Sequence, residues 1–191
     1  IGTVATRFGR EGVATYMLTP DKDYGQLVAD ILAYVEAGRH PNLKLDDNAL
    51  LRTEGRDKAV TWMNSMANGR PVVPRTGYVV EFNALWYNAL RFAASMAEDA
   101  GQAEQRHLEE LAARCQVSFV STFVNEYGYL FDYVDGEAVD WSVRPNMIFP
   151  VAFDYSPLSP DQKKRVIDIC TRELLSPKGL RSLSPKSGGY N

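Results

Sequence analysis

The sequence predicts an all-α fold. Helical periodicity returns in separate windows between Asp23 and Leu175, and no alternation of strand and helix patterns accompanies it. Long, composition-rich loops join those windows, and in a compact domain loops of such length usually carry function. With 191 residues the chain suits one domain with a sizeable core and is short for two.

Charge and composition narrow the function classes. A net charge of −3 argues against a general nucleic-acid or membrane-surface role, which needs clustered positive charge. No apolar run is long enough to span a bilayer, and Ile1 opens no signal-peptide pattern. Two histidines and two cysteines without paired spacing argue against a zinc site. Cys115 and Cys170 sit among apolar neighbours in helical patterns and read as inert buried thiols, which suits a reducing cytoplasm.

Residues Ile1 to Thr15 lack periodicity and read as an irregular lead-in. From Asp23 the pattern is helical, with Leu27, Ile31, Tyr34 and Val35 on one face and Gly38 placed to stop the helix. His40 follows in a loop without an obvious partner. The doublet Asp46–Asp47 with Asn48 invites a metal reading, but turn residues bonding their own backbone account for it better. Pro71, Pro74 and Gly77 make a loop, after which Glu81 starts a long helix. Its expected apolar stripe is Leu85, Ala89, Phe92, Ala93 and Met96, closed by Gly101.

A further helix is expected from Glu104 to Asn125, burying Leu108, Leu111, Cys115, Phe119 and Phe123. Tyr127 to Asp140 alternates aromatics around Asp135–Gly136 and reads as a short hairpin or extended loop. Its Asp132, Asp135, Glu137 and Asp140 do not fit a calcium loop and read as solvated acids. Trp141 to Pro150 leads into a short apolar helix through Phe153. Ser159, Pro160 and Gln162 then form a capping box for a helix with core residues Val166, Ile167, Cys170, Leu174 and Leu175. Pro177 and Gly179 end it.

The chemistry concentrates between Val60 and Arg91, where Trp62, Arg75, Glu81, Trp86, Tyr87, Asn88 and Arg91 crowd into a loop and a helix start. Buried cores favour aliphatic groups and rarely hold charge without partners. The mixture suits a surface gripping a polar ligand with flat apolar faces, such as a sugar. It suits equally a helix start held by Arg–Glu pairing, and Glu81 in a first helical turn is favoured by the dipole alone.

Four motifs then carry a resemblance. TWMNSM at Thr61–Met66, GRPVVPRTGYVVEFNALWYNALRF at Gly69–Phe92, DWSVRPNMIF at Asp140–Phe149 and LLSPKGLRSLSPKSGGY at Leu174–Tyr190 resemble, in order, the glucosidase domain of glycogen debranching enzymes. TRF at Thr6–Phe8 is similar to an earlier signature of that domain. The resemblance implies an (α/α)6 barrel, a glucoamylase-like toroid, incomplete in this chain. It also implies hydrolysis of α-1,6-linked glucose at glycogen branch points with inversion, by two carboxyl groups about 6.5–9.5 Å apart. The partner it implies is glycogen or an α-glucan oligosaccharide; no metal or organic cofactor is implied.

The sequence departs from the family in three places. Asn64 stands where the family has the Asp expected to be the general acid, and an amide has no transferable acidic proton. The general base is expected beyond Asn191. After Gly12 a family helix is missing, so the chain reads as a fragment, inactive alone and prone to self-association through exposed helix faces. In the resemblance Trp62 and Trp86 are candidate sugar-face contacts, with Tyr87 and Asn88 beside them, and Glu81 a hydroxyl acceptor. Arg75 and Arg91 either bind sugar hydroxyls or fix Glu81. Arg144, Asn146 and Arg181 either face the site or tie loops to helix ends. The alternative function is a catalytically inactive glycan-binding module.

Overall fold

The computed structural model describes residues 22–97, 102–188 and 190. The readings for Ile1–Thr15, for Thr6–Phe8 and for Gly101 lie outside these residues. Helix α1 covers Lys22–Glu36 and stops at Gly38, whose φ is 65°. Strands β1 (Leu43–Leu45) and β2 (Leu51–Thr53) follow, then a small hairpin of β3 (Met66–Ala67) and β4 (Arg70–Pro71). Asn68 and Gly69, with φ of 51° and 76°, form its two-residue turn, the left-handed pair that a type I′ hairpin requires.

Strand β5 (Gly77–Val79) runs without a break into α2 (Val80–Met96), which packs along α3 (Gln102–Phe123) as the most extensive helix pairing. Strands β6 (Tyr133–Asp135) and β7 (Ala138–Val139) make the hairpin expected around Asp135–Gly136. A 3-10 turn (Pro145–Ile148), the short α4 (Phe149–Ala152) and α5 (Pro160–Glu173) come next. The hairpin of β8 (Leu175–Ser176) and β9 (Gly179–Leu180) follows directly.

The all-α expectation is overturned, and with it the (α/α)6 barrel. Strands β1-β2-β5-β6-β7 form one five-stranded antiparallel sheet alongside the helices. Each strand has only two or three residues, too few to display a period-2 alternation in sequence. Two of them, β1 and β2, flank the Asp46–Asp47 doublet that reads as a turn. In β2, for instance, Leu51 and Thr53 turn inward while Arg52 faces out.

Three helix faces also differ from expectation. The buried side of α2 holds the expected Ala93 together with Val80, Ala84, Tyr87, Leu90 and Ala94, whereas Leu85 is 45% exposed. Ala84, Ala93 and Ala94 thus share the buried side with the larger Val80, Trp86, Tyr87 and Leu90. On α1 the buried pair is Leu32 and Val35, with Leu27, Ile31 and Tyr34 facing outward. Helix α3 buries Leu108, Leu111, Cys115, Phe119 and Phe123 as the spacing requires. Helix α5 has the full Ser159–Gln162 capping box and buries Val166, Cys170 and Leu174, while Ile167 and Leu175 are exposed.

The junction of β5 and α2 is locked to the sheet. Asn83, fully buried, accepts from Leu51 N at 2.7 Å and donates to Leu51 O and Val79 O, both at 3.0 Å. A buried amide with its donors and acceptor so matched is cheap to bury and specific in register. That lock fixes the first turn of α2, and Glu81 with it.

Candidate functional site

One cluster, buried except at Trp62, gathers five of the predicted residues: Trp62, Arg75, Glu81, Arg144 and Asn146. Arg75 sits in the loop ahead of β5, pinned where Thr53 Oγ1 donates to its carbonyl at 3.5 Å. Its guanidinium fork closes on Glu81, with Nη1 on Oε1 and Nη2 on Oε2 at 2.6 Å. The same Nη2 reaches the Asp132 carbonyl and Asp132 Oδ1, both at 3.2 Å. Arg75 and Glu81 are each 2% exposed. Of the readings left open for Glu81, pairing with Arg75 is the one this geometry realises. Both oxygens carry a guanidinium bond and the residue is sealed from solvent, so a substrate hydroxyl does not reach it.

Asp132 is the centre of the group, and its reading as a solvated acid is corrected here. It is 1% exposed, just ahead of β6, with its amide donating to Asp140 O at 2.9 Å. Asn146 Nδ2 donates to Asp132 Oδ1 at 2.6 Å. Arg75 Nε approaches Asp132 Oδ2 to 2.8 Å, and Arg144 Nε approaches it to 3.6 Å, yet neither N–H is aligned into a hydrogen bond. Burial pushes the Asp132 carboxyl up to about 6, against the pull of Arg75 and of the Asn146 bond. Arg75, by contrast, is held above its ordinary value despite burial, because Glu81 and then Asp132 favour its charge. The two directions agree once the fork is assigned: Glu81 takes the well-aligned donors, and Asp132 keeps the weaker contacts.

At the surface the cluster ends in Trp62. Its indole Nε1 donates to Asn146 Oδ1 at 3.0 Å while the residue remains 55% exposed. The backbone next to it is tightened by Thr61, whose Oγ1 accepts from Met63 N at 3.2 Å, and by Asn64 N on Trp62 O at 3.0 Å. Met63 Sδ receives the other Asn146 contact at 3.5 Å. Asn64 itself is exposed beside this ring.

The remaining candidates lie elsewhere. Trp86 is buried in the core, its indole N–H on Ala49 O at 3.2 Å, and so is not a sugar-face contact. At 4% exposure its ring has no open face for a ligand. Tyr87 is buried as well. Asn88 accepts from Tyr155 N at 3.3 Å, and Arg91 lies over the Tyr155 ring at 5.6 Å, both tying α2 to the segment after α4. Arg181 donates to Leu175 O at 3.2 Å, bracing the β8–β9 hairpin rather than joining the cluster. No group of three or more His, Cys, Asp or Glu among the described residues could hold a metal ion. No described helix is long and apolar enough to cross a membrane.

Comparison with protein families defines the class first: the chain matches glycosidases of glycogen debranching. It belongs to the amylo-alpha-1,6-glucosidase family, whose model matches residues 11–191. A search of curated proteins returned no match.

Proposed function

We propose that the chain acts in the removal of α-1,6-linked glucose at trimmed glycogen branch points, by an inverting mechanism, with Trp62 as the platform for a pyranose ring. One observation carries this reading: an exposed indole whose edge is fixed by Asn146, itself fixed by the buried Asp132 carboxylate. A ring held in place before the ligand arrives loses little freedom on binding, which is what a sugar-stacking surface requires. On this reading Asn64, exposed and bonded through its N–H to the Trp62 carbonyl, stands where the resemblance expects the general acid. Glu81 and Asp132 are committed to guanidinium groups and closed to solvent, so neither activates the attacking water.

The amide at Asn64 favours a second reading, a protein that binds glucan without cleaving it. The two separate on glucose release from a branched limit dextrin. In the hydrolytic reading Asn64→Asp, made in a full-length parent that supplies the general base, restores a proton donor and raises the rate by about 10²–10⁴. No gain, with dextrin binding intact, supports the binder.

A further inference from the structure

A second concentration of aromatic rings lies on the surface, and none of its residues belongs to the Asp132 cluster. A cleft of about 490 Å³ opens between Tyr127, Tyr129 and Trp141 on one wall and the outer side of α5 on the other. Tyr127 and Tyr129 stack with centroids 6.4 Å apart and 16° between their planes. Trp141 meets Tyr127 edge-on at 6.0 Å and Phe131 at 4.6 Å. Tyr127 is nevertheless 68% exposed and Trp141 42%. Rings that brace one another yet stay in water form a stiff apolar platform with no partner of their own.

The facing wall is polar and nearly neutral. It brings Arg165, Arg172 and Lys186 against Asp168 and Glu173. Glu173 accepts from Ser184 Oγ at 2.8 Å and pairs with Lys186 at 3.3 Å and Arg172 at 3.7 Å. Lys164 holds Asp168 at 2.7 Å. Arg165 is seated beside Tyr127 by Gly128, where a Cβ would come within 2.6 Å of the Arg165 side chain. Three cations against two carboxylates leave many donors and acceptors but little net charge. Such a wall suits a neutral, hydroxyl-rich ligand with flat apolar ring faces, and suits a phosphate polymer poorly.

We propose that this cleft is a glucan-binding site separate from the Trp62 surface, holding another part of the same branched polymer; its ligand class rests on the carbohydrate reading above. Two attachment points on one polymer make the second contact intramolecular, so the protein binds a branched glucan more tightly than either surface would alone.

The test is calorimetric titration of the whole chain with maltoheptaose, comparing Tyr127→Ala with Trp62→Ala and checking both folds by thermal unfolding. Tyr127→Ala is expected to weaken maltoheptaose binding about tenfold, while Trp62→Ala leaves that component in place. Wild-type affinity in Tyr127→Ala, with binding lost in Trp62→Ala, overturns the cleft and leaves the carbohydrate reading standing. No binding by the wild-type protein overturns the cleft too, whereas the Trp62 reading is judged by glucose release. If Tyr127→Ala does not fold, Arg165→Ala, at an exposed position, takes its place with the same expected weakening.

Discussion

Two regions of this molecule use the same side-chain types to opposite ends. Around Asp132, arginine, carboxylate and amide groups are closed off from water and spend their bonding capacity on one another. Around Tyr127, arginine, lysine, carboxylates and rings line an open cleft. The difference lies in burial, and burial decides what a charge can do. In the interior a pair costs nearly as much to desolvate as it returns, so its use is to fix geometry. At the surface a pair contributes little to stability and stays available to a ligand.

The contrast breaks most sharply at Arg75. Arg75→Ala leaves Glu81 and Asp132 as two buried carboxylates without their guanidinium partner, and should destabilise the fold by about 3–5 kcal/mol in urea unfolding. Arg165→Ala, at an exposed position of the cleft, should change stability by no more than about 0.5 kcal/mol. Comparable losses in the two variants would erase the distinction between the regions.

Asp132 sharpens the same contrast through pH. Burial raises its carboxyl from an ordinary 3.8 to about 6, so the folded state holds the proton more tightly than the unfolded chain. Its contribution is therefore fully present below about pH 4 and is lost as pH rises through about 6. Between pH 7 and pH 4 the wild-type protein should gain about 2–3 kcal/mol relative to Asp132→Asn, which has no proton to bind. A gap that does not change with pH would mean that Arg75 and Arg144 keep the carboxylate ionised in place.

Much of the cluster was legible in sequence because its members break the rule for core residues. Trp62, Arg75, Glu81, Arg144 and Asn146 are aromatic, charged or amide groups in loops and a helix start, where neither packing nor solvation alone accounts for them. Asp132 was not legible, since it stands among three other acids in a turn-rich stretch. Its signal was parity. Leu130 and Asp132 are two apart in an extended segment, both fully sealed, with Tyr129 and Phe131 partly exposed on either side.

The sheet was hidden by brevity, and the Asn68–Gly69 hairpin by its setting between exposed Met66–Ala67 and a proline. The buried side of α2 was partly hidden because alanine carries little weight in a hydrophobicity pattern, yet Ala84, Ala93 and Ala94 are buried there. Trp86 misled for the opposite reason, its indole N–H being satisfied inside the core by the Ala49 carbonyl.

The gentlest probe is Lys186, at the polar wall of the cleft. Lys186 Nζ lies 3.3 Å from Glu173 Oε1, with the lysine side chain 72% exposed, and Ser184 Oγ holds the other oxygen at 2.8 Å. Glu173 sits below its ordinary value: burial works to raise it, but the Ser184 bond, Lys186 and then Arg172 together outweigh that. Removing the lysine in Lys186→Ala should cost no more than about 0.5 kcal/mol, because an exposed ion pair is screened and entropically expensive. The Glu173 titration followed by NMR should still move upward, since a favourable charge has gone while the Ser184 bond remains. A loss of several kcal/mol would instead mean that the cleft wall is as tightly built as the Asp132 cluster, and the functional contrast between the two regions would no longer follow from burial.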